Sequence, residues 1–195
     1  MFSQVTEIAH EMVARYAQAL GEHAVLSLLL AGASQAEAPF SGPKDVAFAE
    51  SLWNAMEKFH MVGPNRFQSM PYETPPPHGH MVEVLEGNIS VDGRKALVIV
   101  KKNFGKSKTE TRQEIADNPN AFMTSITVMF RREAGYDDDN KNWFWAKYTP
   151  NGEIMKNPKN MALAGRVAKG KAAGCIACHA AAPGGDYVYI HDRYK

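Results

Sequence analysis

The chain has 195 residues, 45% of them hydrophobic and 22% charged. That balance excludes a disordered segment and suits one globular domain with a substantial core. The formal net charge of +1 excludes the strong basic field by which a protein holds nucleic acid or an anionic membrane, so association has to rest on local patches.

Taken in chain order, Ala24–Ala33 is apolar, too short to span a bilayer, and followed by the small residues Ser34 to Ala38. This reads as a secretory signal core with cleavage after Ala36, which makes residues 1–36 the signal peptide and residues 37–195 the mature domain. Met1 to His23 is long for a leading region, carries Glu7, Glu11 and Glu22, and has Arg15 as its strong base; a start at Met12 would give a signal of ordinary length. The alternative is an alanine-rich amphipathic N-terminal helix.

Pro43 opens a run in which Val46, Ala49, Trp53, Met56 and Phe59 recur at helical spacing, which predicts an amphipathic helix ending near His60 and stopped by Gly63-Pro64. Met70 to Gly79 holds Pro71, Pro75, Pro76 and Pro77 and has to be an extended connector, since consecutive prolines neither continue a helix nor donate to a sheet. It runs into His78-Gly79-His80. The period then changes to two, with strands predicted at Met81–Leu85 and Ala96–Lys101 around a turn at Val91–Arg94. Asn118-Pro119-Asn120 breaks the chain before a long strand, Phe122 to Arg132, with Phe122, Thr124, Ile126, Val128 and Phe130 on one face and Met123, Ser125, Thr127 and Met129 on the other. An acidic loop over Gly135 to Lys141, an aromatic strand at Trp143–Tyr148 and a turn at Pro150-Asn151-Gly152 follow. Successive strands without intervening helices imply an antiparallel sheet, so the fold class is α+β, mainly antiparallel with flanking helices. Met161 to Ala182 is rich in alanine and small residues and is predicted to form a C-terminal helix. Gly165, Gly170 and Gly174 within it mark close backbone approaches. Asp186 to His191 alternates and predicts a short final strand.

The predicted C-terminal helix carries Gly174-Cys175-Ile176-Ala177-Cys178-His179, with the two cysteines of the chain. Two thiols two residues apart add to the vinyl groups of a haem, and the histidine that follows then lies beneath the iron as axial ligand. This is the attachment signature of one covalent haem c, with Cys175 and Cys178 as the tethers and His179 as the iron ligand. A thioredoxin-like pair would instead sit near the front of a βαβ unit, and a structural zinc site would need a distant fourth ligand such as His191. In bacteria this attachment takes place outside the cytoplasm, which agrees with an exported, periplasmic protein.

Four segments together resemble the cytochrome P-460 and cytochrome c′-beta family: Pro77-His78-Gly79, Val98-Ile99-Val100-Lys101-Lys102-Asn103, Asn142 to Tyr148, and Ala173 to His179 followed by Asp186-Tyr187-Val188. The resemblance implies a mainly antiparallel domain, a single c-type haem and often a homodimer. It also implies that Lys101 is bonded through its nitrogen to a meso carbon of the haem, in support of the oxidation of hydroxylamine to nitric or nitrous oxide. Lys102 stands where relatives commonly carry glutamate, so two adjacent lysines compete for that position. The alternatives are a c′-beta-like protein that binds nitric oxide or carbon monoxide without turnover, and a plain electron-transfer cytochrome.

The choice among these turns on the sixth iron position, which an electron carrier closes with methionine or histidine and an enzyme leaves open. Met123, Met129, Met155 and Met161 are candidates for closing it, or core fillers. His78 and His80, on one side of an extended segment, are candidate proton carriers beside an open site. Phe122, Trp143, Trp145 and Tyr148 are pocket walls or core. Arg131 (with Arg132) and Arg166 are candidates to pair with haem propionates. Asp137-Asp138-Asp139 lacks the spacing of a calcium loop and reads as a solvated turn. The expected partners are a small substrate or gas and a soluble electron acceptor such as another cytochrome.

Overall fold

Pro43, whose fixed φ and missing N–H suit the first turn of a helix, starts α1 at Pro43–Lys58, and the Asp45 carboxylate accepts from the Gly42 N–H at 3.3 Å. The computed structural model describes residues 39–105, 107 and 109–189. The expected signal peptide over residues 1–36, its alternative start at Met12, and His191 lie outside the described residues. α1 buries Ala49, Leu52, Ala55 and Met56, close to the predicted face, whereas Phe59 at its end is 49% exposed.

The connector after α1 contributes β1 (Tyr72–Glu73), and a hairpin of β2 (Met81–Val91) and β3 (Arg94–Phe104) follows. Both strands are longer than predicted, because the pairing continues from Met81 opposite Phe104 to Val91 opposite Arg94. The link is Asp92-Gly93 with φ of 48° and 81°, the left-handed pair of a turn whose twist matches that of the strands. Between β3 and β4 lie two short helices that the sequence pattern does not announce, α2 (Arg112–Asp117) and α3 (Pro119–Phe122). Thr111 and Glu114 cap α2 reciprocally, the Glu114 N–H donating to Thr111 Oγ1 at 3.2 Å and the Thr111 N–H to Glu114 Oε2 at 2.7 Å. β4 (Met123–Arg131), β5 (Trp143–Tyr148) and β6 (Ala164–Gly165) complete an antiparallel six-stranded sheet in sequential order.

One sheet face packs on α1. Val98 and Val100 of β3, Ile126, Val128 and Phe130 of β4, and Phe144, Ala146 and Tyr148 of β5 join the α1 residues in one core, with Phe48 edge-on to Phe144 at 4.7 Å and Trp53 against Tyr148 at 5.1 Å. The alternate residues of the same strands face the other way. There Ile99, Met129, Trp143 and Trp145 form a second cluster with Val167 and Ile176.

The expected long helix over Met161 to Ala182 does not form. The segment supplies β6, a series of turns, and one short helix, α4 (Cys175–His179). Alanine propensity loses because Gly165, Ala168, Gly170 and Gly174 take φ of 108°, 62°, 72° and 128°, conformations that no right-handed helix contains. Gly165 pairs with Trp145 at the sheet edge, where a Cβ would lie 2.6 Å from the Asp45 carboxylate. Nor do residues 186–189 form the expected final strand, because Tyr187, at φ 65°, turns the chain towards α4. The acidic loop also departs from a solvated turn: Asp137 is buried, is paired with Lys169 and accepts twice from Asn140 Nδ2 at 3.0 Å.

On the α1 side of β3, Lys102 and Glu83 of β2 form an ion pair at 3.0 Å with side chains 0% and 3% exposed. Lys102 Nζ also donates to the Phe67 carbonyl at 2.5 Å, and Glu83 accepts from the Ser69 N–H at 3.1 Å. Lys102→Met would strand the Glu83 carboxylate in the interior, so urea unfolding is expected to show a loss of about 3–5 kcal/mol, with Glu83→Leu in the same chain restoring part of it. A loss under about 1 kcal/mol would mean that water screens the pair as at a surface.

Candidate functional site

The cavity lies on the sheet face away from α1, and the antiparallel register lines up its wall. Ile99 of β3 stands opposite Met129 of β4, and Met129 opposite Trp145 of β5. Two residues along, Lys101 stands opposite Thr127, and Thr127 opposite Lys147. The first row is apolar and the second polar. With Leu163 and Val167 from the chain around β6, and with His78, Cys175 and His179, they line one largely apolar cavity.

α4 delivers the thiols and the imidazole in little more than one turn. It begins at Gly174, where a Cβ would lie 2.5 Å from the Ala168 Cβ and φ is +128°, so no other residue fits without strain. Cys175 lines the cavity, Cys178 is exposed, and both are free thiols. Burial pushes the Cys175 thiol up. His179 is buried, and its Nδ1 lies 2.7 Å from the Tyr187 carbonyl oxygen. A carbonyl only accepts, so Nδ1 carries the hydrogen and Nε2 keeps a free lone pair. Burial first, and then the Lys101 charge, push the His179 pKa down, with the Tyr187 carbonyl opposing them. The ring lies edge-on to Trp145 at 4.8 Å, Tyr189 at 5.5 Å and His78 at 6.0 Å.

Strand alternation separates the two adjacent lysines. Lys101 is on the cavity wall, and Lys102 is turned to the opposite face and held by Glu83. Burial pushes the Lys101 pKa down, opposed by Cys178. His78 also reaches the cavity, where burial, followed by the charges of Lys101, His179 and Lys147, pushes its pKa down to about 3. His80 does not line the wall. The left-handed step at Gly79, φ 91°, breaks the alternation that would have put both imidazoles on one side, and a Cβ at Gly79 would meet the Phe104 carbonyl oxygen at 2.6 Å.

Neither expected arginine lines the cavity. Arg131 is paired with Asp186 at 2.5 Å and stacks on Trp143 at 3.9 Å, and Arg166 donates through Nε to the Pro39 carbonyl at 3.2 Å. The cations on the wall are Lys101 and Lys147, and no ion pair engages either one among the described residues. Sequence reading passed over Lys147 and Thr127, although the period of two that puts Trp145 on one face puts Lys147 there as well. Of the aromatic candidates, Trp145 lines the cavity and Trp143 packs beside it; Tyr148 lies in the α1 core, donating to the Ala49 carbonyl at 2.8 Å, and Phe122 packs against that core. Of the methionines, Met129 is on the wall and Met161 packs against the same cluster, while Met123 lies in the α1 core. Among the described residues no three of His, Cys, Asp and Glu converge as a metal cage.

A largely apolar cavity at a sheet face, lined by one free thiol, an imidazole with a free Nε2 lone pair and two inward lysines, with a second thiol close by on α4, is a pocket of the kind that a haem cytochrome uses. The family model for cytochrome P460 matches residues 83–190, more than half of the chain, and the chain belongs to the cytochrome P460 family. No curated protein and no solved structure matches it. Membership implies a haem, and the residues present fit one. The His179 Nε2 lone pair suits iron, the row of Ile99, Met129 and Trp145 suits a porphyrin face, and the lysines suit its carboxylates. Trp145 Nε1, of a residue on the same wall, is a buried donor without an acceptor among the described residues, so a bound group could complete it.

The start of α4 is open to direct test. Gly174→Ala is expected to destabilise the protein by about 1–3 kcal/mol in urea unfolding, because alanine at that φ is strained and its methyl group meets Ala168. Unchanged stability would show that the turn into α4 is not confined to glycine.

Proposed function

We propose that this protein is an exported, periplasmic monohaem cytochrome c that oxidises hydroxylamine to nitric or nitrous oxide, with Cys175 and Cys178 as thioether tethers, His179 as iron ligand and Lys101 bonded to the ring. The haem, when bound, supplies an iron that accepts the substrate nitrogen and a ring through which electrons leave. The remaining work belongs to the chain. His179 presents Nε2 because the Tyr187 carbonyl fixes its tautomer. Ile99, Met129 and Trp145 exclude water from the ring face. His78, neutral at physiological pH because its pKa is pushed down to about 3, is a wall imidazole able to accept a hydrogen bond from the substrate, whose oxidation to nitric oxide releases three protons along with three electrons. The electrons pass to a soluble acceptor such as another cytochrome, and the protein acts as a homodimer.

The observation that carries this reading is the position of Lys101, on the cavity wall beside Cys175 and His179 and lowered in pKa by burial. Burial raises the fraction of neutral, nucleophilic amine at Lys101 on the cavity wall, whereas Lys102 is turned away and tied to Glu83. A second reading, a c′-beta-like protein that binds nitric oxide or carbon monoxide without turnover, draws support from the lack of any carboxylate among the described residues of the cavity wall.

Mass spectrometry of the haem peptides and the ferrous absorption spectrum separate the two. The expected result is one haem linked to Cys175, Cys178 and Lys101, absorbing at longer wavelength than an ordinary haem c. Lys101→Ala should keep the thioether-bound haem, return the spectrum to the ordinary position and abolish hydroxylamine oxidation with an artificial acceptor. A wild-type haem joined through the two cysteines alone would select the gas-binding reading.

A further inference from the structure

The group that orients His179 is the carbonyl of Tyr187, and that carbonyl is held in an uncomfortable place. Tyr187 has φ 65°, a left-handed conformation that a bulky residue adopts only when its surroundings over-determine it. The surroundings act one residue earlier. The Asp186 carbonyl oxygen accepts from Trp143 Nε1 at 2.9 Å, and the Asp186 carboxylate is paired with Arg131 Nη2 at 2.5 Å. Arg131 lies with its guanidinium 3.9 Å from the centre of the Trp143 ring and donates through Nη1 to the Lys141 carbonyl at 2.5 Å. Arg131 and Trp143 are opposite one another in the β4–β5 register, so both contacts to Asp186 come from one rigid cross-strand pair. At its far end, the Tyr187 hydroxyl donates towards Asn140 Oδ1 at 3.3 Å, and Asn140 is fixed by the buried Asp137.

We infer that Arg131 and Trp143 are positioning residues that clamp Asp186, hold Tyr187 in its left-handed conformation and thereby set the strength of the hydrogen bond from His179 Nδ1–H to the Tyr187 carbonyl. The inference rests on His179 being the iron ligand. A metal-bound imidazole that donates strongly through its second nitrogen gains imidazolate character, binds iron more tightly and favours the ferric state. The clamp therefore tunes the iron from outside the cavity, through the tail of the chain. It also gives Arg131 a role other than propionate pairing.

The test uses the purified haem-loaded protein and two readouts that a merely structural role would not move together: the ferrous iron–imidazole stretching band in resonance Raman and the ferric/ferrous midpoint potential. Arg131→Ala and Trp143→Phe are expected to lower the band frequency and raise the potential, and Arg131→Lys, which keeps a cation for Asp186, to shift both by less than Arg131→Ala. Trp143 is fully buried, so should its variant fail to fold, Asp186→Asn, at a side chain 52% exposed, removes the ion pair with little risk to the core and should shift both readouts in the same direction. Wild-type band and potential in Arg131→Ala and Asp186→Asn would overturn the clamp. An iron–imidazole band that persists unchanged in His179→Gly would instead overturn the assignment of His179, which keeps the two failures apart.

Discussion

The pairing register of β3 with its neighbours is the constraint on which the rest of the cavity depends. A slip of one residue would exchange the faces of β3, sending Lys101 into the α1 core and Lys102 into the cavity. Three features forbid the slip. The Asp92-Gly93 turn fixes the hairpin from its tip, Val98 and Val100 belong to the apolar core under α1, and Lys102 meets Glu83 directly across the β2–β3 ladder. The ion pair contributes little net stability by comparison with an apolar pair of similar size, but a slipped register would leave both charges buried without a counter-ion, which costs several kcal/mol. The buried pairing of Lys102 with Glu83 is thus one of the features that keep its neighbour Lys101 on the cavity wall.

The cavity also needs a rim, and the chain after β5 builds it without regular structure. A continuous helix over Met161 to Ala182 would have laid one straight face against the sheet. Instead, left-handed positions from Gly165 to Gly174 fold the segment into turns, Gly165 fits between Trp145 and Asp45, and helix appears only where Cys175, Cys178 and His179 have to share a short arc. The glycines that weaken a helix are the residues that let the backbone approach the sheet closely enough to close the cavity.

How much of this was legible follows from which interactions are local. The apolar periods of α1, β3, β4 and β5 and the motif from Cys175 to His179 depend on spacing within the chain, and they are readable in sequence. The identity of Lys101 as a wall residue was half readable: alternation says that Lys101 and Lys102 face opposite ways, but only the partner strand says which way is in. The failures are non-local. The step at Gly79 that removes His80 from the wall depends on the Phe104 carbonyl, and the capture of Arg131 by Asp186 spans the domain. The irregular path of residues 161–182 depends on contacts with Asp45 and Trp145. In each case a reasonable local preference lost to a tertiary contact. Lys147 differs, since its side was given by the same alternation that placed Trp145.

The charges on the wall add a final step. His78, Lys101 and Lys147 face a cavity whose described lining contains no carboxylate, and an apolar enclosure makes unpaired cations expensive. Two responses relieve that cost: loss of protons, or an anionic ligand. His78 takes the first, its pKa pushed down to about 3 by burial and by the neighbouring cations. For Lys101 the two responses work in sequence. Burial pushes its pKa down, which enlarges the fraction of neutral, nucleophilic amine, and bonding of that nitrogen to a ring would remove the charge for good. On that reading Lys147, in the same cross-strand row as Lys101, is the wall lysine left to meet the porphyrin carboxylates. Under the proposed function, the row joining Lys101, Thr127 and Lys147 gives its two lysines different tasks: Lys101 would bond to the ring, and Lys147 would face its carboxylates.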